Sequence, residues 1–130
     1  MSQDLLHRHI TVEFSVMLAD DVSIEHKLDI EDGENCIAVA QRALNTATGI
    51  FKTALQSITM PVDPLPGDEP MLSLSVEYFH LHDGDLESLS FKISEIETIK
   101  PGKSGKAVDN AVSRAFKSFC RLSTKLQEVA

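Results

Sequence analysis

Five histidines, two cysteines, a glycine loop carrying lysines and a stripe of basic residues are the groups in this chain whose types and spacing could do chemistry. His7 and His9 stand two residues apart, as do His80 and His82, and on an extended strand that spacing puts both imidazoles of a pair on one face. With Asp83 and Asp85 beside the second pair, ligands of zinc type are nominally present. His9, however, belongs to the polar side of its strand, whereas His80 continues the inward series from Tyr78, so the two pairs face opposite sides of a sheet. No metal site is expected. His26 lies on the apolar side of its own strand, where a hydrogen-bonded core histidine is the expectation.

The run Pro101-Gly102-Lys103-Ser104-Gly105-Lys106 brings glycines and lysines to the start of a helix, the ingredients of anion binding by backbone N–H groups. A nucleotide-binding loop would need a glycine where Glu97 stands, so Lys103 and Lys106 are candidates for a non-nucleotide anion only. Further along, Arg114, Lys117, Arg121 and Lys125 recur in helical steps, about 100–120° around from the apolar seam, as an exposed stripe able to track phosphates. Aromatic stacking partners for bases are scarce: the chain has no Trp and one Tyr, which leaves Phe79 as the possible platform. Nucleic acid is therefore the alternative partner and a protein the first.

No Ser, Cys or Lys is set in a recognisable nucleophile elbow, and the carboxylates fall mostly on turns and helix starts. Catalysis is not expected and no cofactor is implied; an enzyme would have to assemble its site from scattered residues.

Charge is unevenly distributed along the chain. The net charge is −8, yet residues 101–130 hold half of the basic residues and only Asp109 and Glu128 among the acidic ones, so an acidic body carries a basic last helix. Such asymmetry suits a charged partner, or a helix lying across the protein's own acidic surface. Cys36 and Cys120 fall on or beside helical apolar stripes and read as reduced core thiols. With no signal-type N-terminus and no apolar run long enough to span a bilayer, a cytoplasmic protein that does not enter membranes is expected.

The elements that must position these groups follow from periodicity. Ile10, Val12, Phe14, Val16 and Leu18 alternate with polar residues, and after Ala19-Asp20-Asp21 the alternation resumes at Val22, Ile24, His26, Leu28 and Ile30, a β-hairpin. Asp32 is placed to cap a helix over 35–58, whose seam reads Ile37, Ala40, Leu44, Ala47, Phe51, Ala54 and Ile58, with Gly49 a point of weakness. The proline-rich segment 59–70 is a connector, and its Pro61-Val62-Asp63-Pro64 reads as rigid wiring. A second hairpin follows, with Leu72, Leu74, Val76 and Tyr78 inward on one strand and Leu89, Phe91 and Ile93 on the next, joined at His82-Asp83-Gly84-Asp85. The last helix has the seam Val108, Val112, Ala115, Phe119, Leu122, Leu126 and Val129.

The order strand-strand-helix thus occurs twice, in halves 8–58 and 71–129 of a single domain spanning 1–130. The expected fold is of α+β type: a two-layer α/β sandwich in which a four-stranded antiparallel sheet carries two long helices on one face, in a pseudo-repeated ββα-ββα order. Its other face, bearing Thr11, Ser15, Ser23, Ser73, Ser75, Ser88, Ser90 and Ser94, is open and rich in small hydroxyls. Met17, Phe79, Leu81 and Ile96 fall on that face as apolar anchors for a partner. The expected function is a non-catalytic protein-interaction module, an adaptor, chaperone or inhibitor subunit, acting as a homodimer or within a larger assembly.

Overall fold

In the computed structural model the sequence alternation becomes two hairpins, β1 (Leu6–Met17) with β2 (Val22–Asp29) and β3 (Met71–His82) with β4 (Glu87–Thr98), each followed by a helix, α1 (Cys36–Gln56) and α2 (Ser104–Val129). The structure describes residues 6–17, 22–58, 60–61, 63–82 and 87–129; of residues 6, 7, 81, 82, 87, 88 and 126–129 only the backbone is described. Both expected hairpin turns, Leu18 and Val62 lie outside the described residues, as do the side chains of His7, Leu81, His82, Ser88, Leu126 and Val129.

The sheet is antiparallel throughout, in the order β2-β1-β3-β4. Its centre is the long pairing of β1 with β3, in which Val12 faces Val76, flanked by His26 on β2 and Ile93 on β4. The inward row is apolar from Ile10 to Val16 and from Leu72 to Tyr78, where every second residue is, and both helices lie against it. Phe14 stacks on Phe51 of α1 at 4.7 Å, and Phe91 and Tyr78 meet Phe119 of α2 at 5.4 and 6.4 Å. These phenylalanines anchor one continuous core in which Phe14, Phe51 and Phe119 have no exposure. Burying a side chain of this size stabilises the fold by about 1.5–3 kcal/mol, so these rings fix the helices to the sheet.

The two halves repeat in their hydrogen bonds as well as their order. After β2, Ile30 N–H donates to the Arg8 carbonyl, and after β4, Ile99 N–H donates to that of Pro70, both at 2.9 Å. Each chain then turns through a left-handed glycine, Gly33 at φ 84° or Gly102 at φ 73°, where any other residue would be strained. The turns differ in sign of charge: Glu31, Asp32 and Glu34 surround Gly33, whereas Lys100 and Lys103 surround Gly102.

Several local expectations are corrected. Asn35, not Asp32, caps α1, its Oδ1 accepting from the N–H groups of Ile37 at 2.7 Å and Ala38 at 3.4 Å. The side chain of Asn35 stands directly before the first helical turn, whereas Asp32 is held in the preceding turn. The buried seam of α1 is Val39, Ala40, Ala43, Leu44, Ala47, Phe51 and Leu55, and Ile37, Ala54 and Ile58 are only partly buried. That of α2 is Ala107, Val108, Ala111, Ala115, Phe119 and Ser123, with Val112 half-buried and Leu122 exposed. The small alanines at these positions let each helix settle close to the sheet around Phe51 and Phe119, with Ile37 only partly buried and Leu122 exposed. α1 continues unbroken through Gly49, whose carbonyl accepts from Thr53 Oγ1.

Candidate functional site

Three regions bring together the residues singled out by the sequence: the outer sheet face, the start of α2, and the outer flank of α2 beside β4. The strands present every second residue to the outer face, and neither helix covers it. Met17 is 73% exposed and sits in register with Met71, itself exposed, while Ile96 on β4 is 61% exposed and pairs with Ser73 next to Met71. Met17, Met71 and Ile96 thus form a small apolar cluster at one end of the face, and Thr98 Oγ1 reaches the Met71 sulfur at 3.3 Å.

Phe79 lies at the opposite end of that face, separated from the methionines by rows of Ser, Thr and charged residues. It is half-buried and stacks on His9 of the neighbouring strand, with ring centroids 4.9 Å apart. Of the expected anchors, Met17 and Ile96 thus lie at one end of the face and Phe79 at the other, and the side chain of Leu81 lies outside the described residues. Met71 was not foreseen as one of them, although its position one residue before inward-facing Leu72 was readable from the alternation.

The histidines separate as the strand parity requires. His9 is on the outer face, and His80 is on the helix side, edge-on to Tyr78 at 6.3 Å. Among the described residues no group of three His, Cys, Asp or Glu side chains is placed to hold a metal ion. Burial raises the Tyr78 phenol above its ordinary pKa, with the neighbouring Cys36 adding to the shift. Cys36 and Cys120 are free and half-buried; Cys36 Sγ lies 3.0 Å from Ser123 Oγ, so this polar pair joins the start of α1 to the later part of α2.

At the start of α2, Lys100, Lys103, Lys106 and Asn110 surround an open cleft with Glu97 at its rim. Lys103 and Lys106 are both exposed, and the Lys103 carbonyl accepts the N–H of Ala107 as the helix begins. The acidic rim lowers the positive potential that an anion would meet there.

The basic stripe on α2 is divided. Arg114 is bound to the edge strand: its Nε is 2.7 Å from Glu95 Oε1, and its Nη2 is 2.7 Å from Glu97 Oε2 and 3.2 Å from the Ile96 carbonyl. The hydrogen bond to Glu95, then that to Glu97, raises the guanidinium above its ordinary pKa, and the same guanidinium holds the Glu97 carboxyl below the usual range. Alternation puts Glu95 and Glu97 on the helix side of β4, continuing the row of Phe91 and Ile93. Lys117, Arg121 and Lys125, by contrast, are exposed and make no hydrogen bond or ion pair among the described residues.

Among the described residues no helix is long and apolar enough to cross a membrane. Compared with known proteins, the chain matches no family model, no curated protein and no solved structure, so its chemistry has to be read from its own geometry.

Proposed function

We propose that this protein is a non-catalytic interaction module, working as a homodimer or as a subunit of a larger assembly in an adaptor, chaperone or inhibitor role. The observation that carries the reading is the uncovered outer face of the sheet. A sheet that packs one face against two helices and leaves Met17, Met71 and Ile96 standing on the other has a prepared position for a second surface. Small hydroxyl side chains between the apolar ends allow close approach at little steric cost. The net charge of −8 adds long-range attraction to a basic partner and disfavours nucleic acid.

Sedimentation of the purified chain, alone and with Met17→Glu and Ile96→Glu introduced together, tests the self-association arm. A doubled mass that collapses to a folded monomer in the variant supports the reading; a monomer for both moves the case to a different protein partner.

A second reading, nucleic-acid or anion binding through α2, has one observation in its favour: Lys117, Arg121 and Lys125 remain unengaged after Arg114 is tied to β4. Retention of DNA or RNA by the wild type and its loss on Lys117→Glu with Arg121→Glu would favour it.

A further inference from the structure

We propose that the first half of β4 is a docking edge for an extended acidic segment of a partner protein, which adds as a further strand beside Ser88–Phe91 under the basic flank of α2. The proposal deepens the interaction reading and rests on it.

The sheet ends at β2 on one side and β4 on the other, and an edge strand offers unpaired N–H and C=O groups to any extended chain. The two edges are not equally open. β2 is the shorter, and its inward row is interrupted at mid-strand by His26. On β4 the second half is guarded by inward Glu95 and Glu97, closed over by Arg114. Inward-pointing charge of this kind is how natural sheets block pairing. Between Glu87 and Glu95 the inward residues of β4 are instead Leu89, Phe91 and Ile93, and Leu89 is 43% exposed although it faces the helix layer.

α2 forms the roof of this open half. It runs back along β4, since Asn110 reaches Glu97, Arg114 reaches Glu95, and Phe119 meets Phe91. Leu122 follows Phe119 by three residues and is 37% exposed, so by helical spacing an exposed leucine of α2 stands toward the same end of β4 as the exposed Leu89. By helical spacing, Arg121 and Lys125 share the side of α2 that Arg114 uses to reach β4. They therefore stand on the β4 side of the helix, and they have no partner among the described residues.

Main-chain groups, two exposed leucines and two cations unpaired among the described residues together specify the occupant. It is an extended segment whose helix-side positions alternate a leucine-like side chain with a carboxylate, by the strand-addition mode of peptide recognition. A second copy docking β4 against β4 would bring the two basic α2 flanks toward each other, and like charges disfavour that arrangement. A nucleic-acid strand carries far more negative charge than a short segment with alternate carboxylates and lacks the aliphatic side chains that exposed leucines would meet, so the net charge of −8 disfavours it more strongly.

The test uses the full chain and a short labelled peptide, Thr-Leu-Thr-Glu-Thr-Leu-Thr-Glu, with its Glu→Lys counterpart and a single-stranded thymidine oligonucleotide as competing probes. Anisotropy should show binding of the acidic peptide only, and amide shifts should map to Ser88–Phe91 and the region of Leu122. Arg121→Glu with Lys125→Glu should weaken binding by at least about tenfold. Leu89→Lys, which places a blocking charge on the exposed edge, should do the same while leaving the fold intact. Absence of peptide binding, equal binding by the variants, or preference for the oligonucleotide would overturn the inference. If the chain still dimerises or holds a companion through its outer face, the interaction reading survives that failure; if it does neither, both fall.

Discussion

Arg114 Nε lies 2.7 Å from Glu95 Oε1, a contact that fastens the last helix to the inward side of an edge strand. The same guanidinium takes Glu97, so two carboxylates that would oppose burial at the helix–sheet boundary become the means of closing it. Because the cluster remains partly solvated, its contribution is modest. Arg114→Leu should cost about 1 kcal/mol at neutral pH in urea unfolding. Glu97 is held below its ordinary value by the Arg114 hydrogen bond, so its contribution is fully present above the unfolded-state carboxylate range near pH ~4.3 and is lost as pH falls through the lowered folded value. The stability gap between wild type and Arg114→Leu should therefore narrow on acidification.

Phe51 and Phe119 occupy equivalent places in the two halves, each with no exposure and each against an aromatic ring of a central strand. Alanine at either position should destabilise by about 3–5 kcal/mol in guanidinium unfolding, with a similar cost in the two halves. A small effect at one of them would show that its helix is not pinned by the ring.

At Gly33 and Gly102 the backbone is left-handed, and a Cβ would meet nothing within 4 Å at either position. Alanine there should cost about 1–2 kcal/mol from conformation alone, and asparagine less, as read from thermal melts. Equal effects of alanine and asparagine would contradict the conformational explanation.

Cys36 and Ser123 form a polar pair 3.0 Å apart between the helices, with Ser123 2% exposed. Removing one partner should cost more than half of what removing both costs, with a coupling of about 0.5–1 kcal/mol in a Cys36→Ala, Ser123→Ala cycle. Strict additivity would mean that the two groups do not interact.

Much of this fold is legible because its signals are local. Strict alternation from Ile10 to Val16 and from Leu72 to Tyr78 sets the sheet's inward row, and the repeated strand-strand-helix order follows from the two hairpins and two amphipathic runs. Strand order is not local: β2-β1-β3-β4 depends on which strands find each other across the connector, and nothing in one hairpin specifies its neighbour. The helix seams shifted for a related reason. Periodicity favours the large residues Ile37 and Leu122, whereas close packing on the sheet selects Ala43, Ala107 and Ala111. The division of the basic stripe was hidden similarly, since Arg114 looks like Lys117 until Glu95 and Glu97 are known to face the helix.

The outer face is the centre of the functional account, and its apolar cluster pairs Met17 with Met71 across β1 and β3, with Ile96 beside them. Native mass spectrometry of the tagged protein captured gently from its own host, as wild type and as the Met17→Glu, Ile96→Glu variant, tests it most directly. The account predicts a doubled mass or a stoichiometric protein companion for the wild type and a folded, bare monomer for the variant. A bare monomer for both, a companion retained unchanged by the variant, or nuclease-sensitive extra mass in place of a protein would contradict it.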